Sequence, residues 1–186
     1  PTIFTDISTG PVQTYTWVFD DGSTGSDASP SHTYAAAKTY NVTLTVLTAK
    51  NCKTTISKKT TVHPVPVAKF SAPNVCEGKM MVFKDQSTIN GGTFNGSRDW
   101  DFGDGATDTI VSPQHLYASV NQYTVKLKIV TSFGCADSVT KIIVINPKPV
   151  VDFTTTDTAG CSPFTTTFVN QTTIASGKII KYLWEF

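Results

Sequence analysis

The 186-residue chain holds one arginine (Arg98), three histidines and four cysteines, and carries a net charge of +1 with 16% charged residues. A lone arginine withholds the guanidinium forks on which phosphate recognition relies. So small a net charge gives no field able to gather nucleic acid or an anionic membrane surface. His32, His63 and His115 supply neither a metal-spaced pair nor a His/Asp/Ser triad. No apolar run approaches the ~18 residues of a membrane-spanning helix, and helical periodicity is nearly absent.

What the chain does have is repetition. Trp17-Val-Phe-Asp-Asp-Gly22 returns as Trp100-Asp-Phe-Gly-Asp-Gly105, and Ser29, Pro30, His32, Tyr34, Tyr40, Cys52 and Pro66 all recur 83 residues later. Residues 17–66 and 100–149 align without a gap at 18 identities in 50. A third copy begins and reaches Tyr182-Leu-Trp184-Glu-Phe186. A unit of this size can enclose its own core, unlike a solenoid repeat of about 20–45 residues. Three modules follow: 1–66 without its first strand, 67–149 complete, and 150–186 as an N-terminal part. The chain opens and closes inside a repeat, so an excerpt of a longer polypeptide is expected.

Tyr40–Val46 and Tyr123–Ile129 alternate apolar and polar residues, the pattern of strands with one buried face. Thirty-one threonines suit exposed strand faces. Asp21-Gly22 and Asp104-Gly105 read as tight turns, and the prolines at 64, 66, 147 and 149 as stiff links. Strands are predicted near 67–72, 79–86, 97–103, 106–111, 114–118, 122–131 and 136–145, giving an all-β, two-sheet sandwich of about seven strands. The predicted core is Trp17, Phe19, Tyr34, Tyr40, Trp100, Phe102, Tyr117, Tyr123 and Trp184, with Phe70, Val82, Val125, Leu127 and Ile129 in the complete module. Phe94 and Phe133 are not repeated as aromatics; they are the best candidates for exposed contacts, but local loop packing is the favoured reading of both.

The run Trp100–Gly105, then Ser112-Pro-Gln-His115-Leu-Tyr117 and Tyr123-Thr-Val-Lys-Leu, with Phe83-Lys-Asp85-Gln-Ser87 upstream, resembles the PKD (polycystic kidney disease) domain. The resemblance implies tandem immunoglobulin-like modules of cell-surface and secreted proteins, used for spacing and adhesion. Cys76-Glu-Gly78 and Gly134-Cys135-Ala-Asp137 resemble variants in large proteins of gliding, type IX-secreting bacteria. Val18 and Asp20 replace Asp101 and Gly103, which predicts an altered first hairpin. Lys38 and Asn121 stand where the family commonly has glycine, which predicts a reshaped turn at Lys38.

His32 and His115 recur with the repeat and so are read as serving its fold. Asp85, Asp101 and Asp104 are the candidate calcium ligands, since hard cations need several oxygens and some PKD modules bind calcium near these motifs; the alternative is that Asp104 makes a turn and the other two bond nearby backbone amides, and no other cofactor is expected. Cys76 and Cys135 form the candidate disulfide by repeat arithmetic, whereas immunoglobulin-like topology favours bridges between modules. Cys52 and Cys161 would find partners outside the segment. Either arrangement suits an oxidising, extracellular setting. Thr109, Ser138 and Thr158 follow aspartate in Asp-(Ser/Thr)-aliphatic triplets that resemble an O-glycosylation acceptor of the same bacteria.

The reading is a non-enzymatic stalk, spacer or fibre segment of a secreted or surface protein. Its expected partners are neighbouring modules, surface glycans or other extracellular proteins, with neither nucleic acid nor membrane. A carbohydrate-binding accessory module of a secreted hydrolase and a self-assembling filament subunit are the alternatives.

Overall fold

The computed structural model describes residues 1–90 and 92–185, with the backbone alone at Thr93, and among them every regular element is a strand. The first copy contributes β1 (Thr2–Ile3), β2 (Thr14–Val18), β3 (Thr24–Gly25), β4 (Ser31–His32), β5 (Thr39–Leu47) and β6 (Lys53–Thr61). The second has β7 (Phe70–Ser71), β8 (Val75–Cys76), β9 (Met81–Val82), β10 (Lys84–Asp85), β11 (Thr88–Ile89), β12 (Gly92–Thr93), β13 (Ser97–Asp101), β14 (Thr107–Asp108), β15 (Gln114–His115), β16 (Gln122–Val130) and β17 (Ala136–Asn146). The third has β18 (Phe153–Thr155) and β19 (Phe168–Asn170), an antiparallel pair. Contacts divide the chain into residues 1–65 with 133–135, and residues 66–132 with 136–186.

The complete copy is a two-sheet sandwich. One sheet runs β14-β13-β16-β17-β8, antiparallel except for the parallel edge β17–β8. Facing it, β7 pairs with β10 and β9 with β15. The alternation seen in the sequence does the sorting: Val125, Leu127 and Ile129 on β16 are fully buried, whereas Lys126 and Lys128 between them are exposed. In the first copy the sheet order is β3-β2-β5-β6, with Trp17 opposite Leu44 just as Trp100 is opposite Leu127.

Six of the nine predicted core residues are buried: Trp17, Phe19, Tyr40, Trp100, Phe102 and Tyr117. Tyr34 and Tyr123 are half-buried against the same clusters. Trp184 is 39% exposed, with its ring against Phe153 and Phe168. Val82 departs from expectation at 41% exposed. Its neighbours Met81 and Phe83 take the interior instead, so the inward parity of that strand is the reverse of the one predicted. Phe94 is buried under the guanidinium of Arg98, which fits the loop-packing reading and not the exposed contact.

The first hairpin keeps its shape despite its substitutions. Asp20 adopts φ 63°, close to the 79° of Gly103, and Phe19 N–H donates to Ser23 O as Phe102 N–H donates to Ala106 O. Aspartate tolerates the left-handed region better than most residues, and here Asp20 Oδ2 also accepts Asn41 N–H at 2.9 Å. The Lys38 turn is likewise unchanged. Val62 N–H donates to Lys38 O and Ile145 N–H to Asn121 O, both at 3.0 Å, and neither residue is among those with positive φ.

Candidate functional site

The polar residues of the repeat motif gather at the β13–β14 hairpin and its first-copy counterpart between β2 and β3. Asp104 occupies the turn, where Oδ1 accepts Ala106 N–H at 3.1 Å and Oδ2 pairs with His115 Nε2 at 2.7 Å. The imidazole lies flat on Phe102 at 4.3 Å and meets Tyr117 edge-on at 4.6 Å. Tyr117 in turn donates its hydroxyl to Phe102 O at 3.0 Å. The first copy repeats the column at the same spacings: His32 on Phe19 at 4.3 Å, on Tyr34 at 4.6 Å, and on Asp21 Oδ2 at 2.7 Å.

These pairings set the charge of the carboxylates. Hydrogen bonds from the Ser23 hydroxyl, then from His32, hold Asp21 down to about 2. For Asp104 burial works against ionisation, but His115 and the Ala106 amide outweigh it and the carboxyl stays below its ordinary value. Ser23 Oγ also comes within 3.2 Å of His32 Nε2, which invites comparison with a catalytic triad. The comparison fails on geometry. Serine and aspartate both meet the same nitrogen, so the ring cannot take a proton on one side while being steered from the other. Ala106 stands at the serine position in the second copy. The histidines are therefore built into the hairpin.

Asp85, Asp101 and Asp104 do not converge, and no group of three or more metal-type side chains occurs among the described residues. Asp85 is buried in an ion pair with Arg98 and accepts Ser87 N–H at 2.8 Å. Asp101 accepts Gly103 N–H at 2.9 Å, and Asp104 is committed to His115. Each carboxylate serves a local turn or pair, as the turn alternative holds for Asp104.

Cys76 and Cys135 form no disulfide. Cys76 lies beside Asn146 at the end of β17, whereas Cys135 immediately precedes Ala136 at its start. Ten residue steps of roughly 3.3 Å place them about 33 Å apart, far beyond the ~4.4–6.8 Å Cα separation of a disulfide. Cys52 and Cys161 are exposed thiols. Thr109, Ser138 and Thr158 are all exposed, Ser138 within β17 and Thr109 just after β14.

Two features escaped the sequence reading. Arg98 donates to Gly96 O and Phe94 O, both at 2.8 Å, while pairing with Asp85, so the sole arginine ties a loop to the sandwich. Its singularity beside a repeated aspartate was the available clue. Tyr40 and Tyr123 donate to the carbonyl four residues upstream, Ala36 O at 2.7 Å and Ser119 O at 3.0 Å. That arrangement is the tyrosine corner of immunoglobulin-like sandwiches.

The PKD domain profile matches residues 2–64 and again 62–145. The microbial collagenase of Vibrio alginolyticus is 43% identical over 47 residues, which is 25% of this chain and 6% of that protein. This chain thus spans a small fraction of that relative. The PKD1 domain of the Vibrio cholerae metalloprotease PrtV is 30% identical, with 44% of this chain and 96% of that one covered and a TM-score of 0.39. The PKD1 domain of Vibrio anguillarum Epp is 25% identical over 47% of this chain and 100% of that one, with a TM-score of 0.42. Two profile matches in register with the structural repeat cover most of the sequence, and the chain belongs to the PKD domain family.

Proposed function

We propose that the chain is a non-catalytic repeat segment of a large secreted or cell-surface protein, working as an adhesin stalk, spacer or extracellular fibre. The observation that carries this reading is the fate of the motif residues. Both copies consume phenylalanine, histidine, aspartate and tyrosine in the same hairpin column, at matching distances. Residues invested identically in each module serve the module, and the property that accumulates with copy number is length. Partners are then neighbouring modules, and surface glycans or other extracellular proteins met through many weak contacts. Export by a type IX pathway and O-glycosylation at Thr109, Ser138 and Thr158 belong to the same proposal; exposure of the three hydroxyls supports it.

Single-molecule stretching tests the reading. Each unfolding event should lengthen the tether by about 250 Å, as 83 residues at roughly 3.4 Å per residue give ~280 Å less the folded module's own span. Modules that yield gradually, without a force peak, would remove the mechanical role.

The collagenase match favours a second reading, an accessory module of a secreted hydrolase. Co-sedimentation with insoluble collagen and with insoluble polysaccharide separates the two. A stalk stays in the supernatant with both.

A further inference from the structure

Arg98 closes an arch over the peptide that joins Asn95 to Gly96. Its Nη2 donates to Phe94 O and its Nη1 to Gly96 O, both at 2.8 Å, while Nε pairs with Asp85. The buried Phe94 ring lies beneath the guanidinium, 5.1 Å from ring centre to its carbon. Asn95, set between the two bridged carbonyls, is exposed. Among the described residues its side-chain amide makes no hydrogen bond, and the backbone N–H of Gly96 donates to no acceptor.

Packing imposes the glycine. A Cβ on residue 96 would run into Val130 O and the Phe94 ring, so the sandwich accepts no side chain there. A glycine nitrogen is also the least shielded, which leaves the preceding asparagine open to attack by its own backbone. Nothing in this arrangement belongs to the repeat. Phe94, Asn95, Gly96 and Arg98 stand where the first copy has Pro11, Val12, Gln13 and Tyr15. The arch and the peptide under it are an addition to the module, with chemistry of their own.

We propose that Asn95 is a self-modification site, converted to isoaspartate through Gly96 in the folded protein, and that the product opens the Arg98 arch. Gly96 N gives its proton to solvent base and attacks Asn95 Cγ. A new C–N bond forms, and the side-chain nitrogen takes up a proton and leaves as ammonia. Water then opens the five-membered imide, with no oxidation or reduction. Breaking the new bond leaves an ordinary aspartate. Breaking the original peptide bond leaves isoaspartate, in which the chain runs through Cβ and Cγ and gains one backbone carbon. That carbon enters the segment spanned by Arg98, since Phe94 O and Gly96 O lie on either side of it. A planar guanidinium has a fixed fork and cannot follow both carbonyls as they separate. Loss of ammonia is irreversible, so the converted fraction records the age of each molecule.

Ageing the full chain in mildly alkaline buffer, with and without urea, tests this. In the folded sample residue 95 should gain the mass difference between an amide and a carboxyl group. An isoaspartyl methyltransferase with a labelled methyl donor should mark the same peptide. Fragmentation separates Asn95 from Asn90, the other asparagine that precedes glycine. As isoaspartate accumulates, the urea midpoint of the second unit, followed by tryptophan fluorescence, should fall. Asn95→Gln alters only an exposed side chain without a hydrogen bond, so it should fold as before and lose both the label and the fall. Asn95→Asp separates charge from backbone length: freshly made it should keep the parent midpoint, then lose it on ageing as the same imide forms by loss of water. A folded chain in which residue 95 stays asparagine overturns the proposal, and conversion in urea alone would identify the native loop as the shield. Isoaspartate at residue 95 with an unchanged midpoint overturns the opening of the arch.

Discussion

Tyr34 and Tyr117 occupy the same repeat position with opposite hydrogen-bond outcomes. The Tyr117 hydroxyl donates to Phe102 O, whereas the Tyr34 hydroxyl is buried without a partner among the described residues. Burial pushes the pKa of both phenols above the ordinary value, and the Asp104 and Asp21 carboxylates push it further. Tyr117→Phe should therefore cost about 0.5–1.5 kcal/mol for the lost bond. Tyr34→Phe should be neutral or stabilising, because it removes a buried hydroxyl that has nothing to bond. Urea midpoints of the two variants check the contrast. Asp21 gives a prediction of a different kind. Its folded value of about 2 lies below the ordinary 3.8. A depressed carboxylate contributes stability that is complete above about pH 4 and is lost as the pH falls toward about 2. The first unit's unfolding midpoint should drop across that window, and Asp21→Asn should flatten the drop.

At the scale of elements, the sequence made the long strands legible because one buried face imposes alternation, and β5 and β16 carry it over nine residues each. Two-residue strands such as β9 offer too short a pattern to fix parity, so the interior place expected for Val82 falls to Met81. The β11–β12 hairpin was invisible for a different reason. It is held by nonrepeating contacts, with Phe94 buried and Arg98 reaching its carbonyl, that no periodicity announces. The three aspartates lie on separate turns and form no metal-type cluster among the described residues, each bonding a nearby backbone amide, as the alternative reading of them has it. The Cys76–Cys135 pair is excluded because β17 separates its ends; repeat arithmetic carries nearness in the repeat, not nearness in space. Strand β7 shows how much one short element carries. Phe70 is fully buried between Phe83 and Trp100. Phe70→Ala should destabilise the second unit by about 3–5 kcal/mol, the usual cost of emptying a buried aromatic site. Thermal or urea unfolding followed through Trp100 measures it.

For the whole molecule, the decisive fact is that each unit has its own core, and that the cores are unequal. The second unit buries thirteen core residues in one cluster and the first buries five. The covalent link between units is a short proline-containing segment, which does not oblige one core to melt with the other. Denaturant unfolding of the chain should accordingly show two transitions, the first unit leaving at lower concentration. Tryptophan fluorescence separates them, because Trp17 reports the first unit and Trp100 with Trp184 the second. Trp17→Phe should erase the early fluorescence change while far-ultraviolet circular dichroism still records it. Trp100→Phe should diminish only the late one. If Trp17 and Trp100 instead report one coincident midpoint, the two cores unfold as a single cooperative body, and independence of the modules is lost along with the inequality argued from their cores.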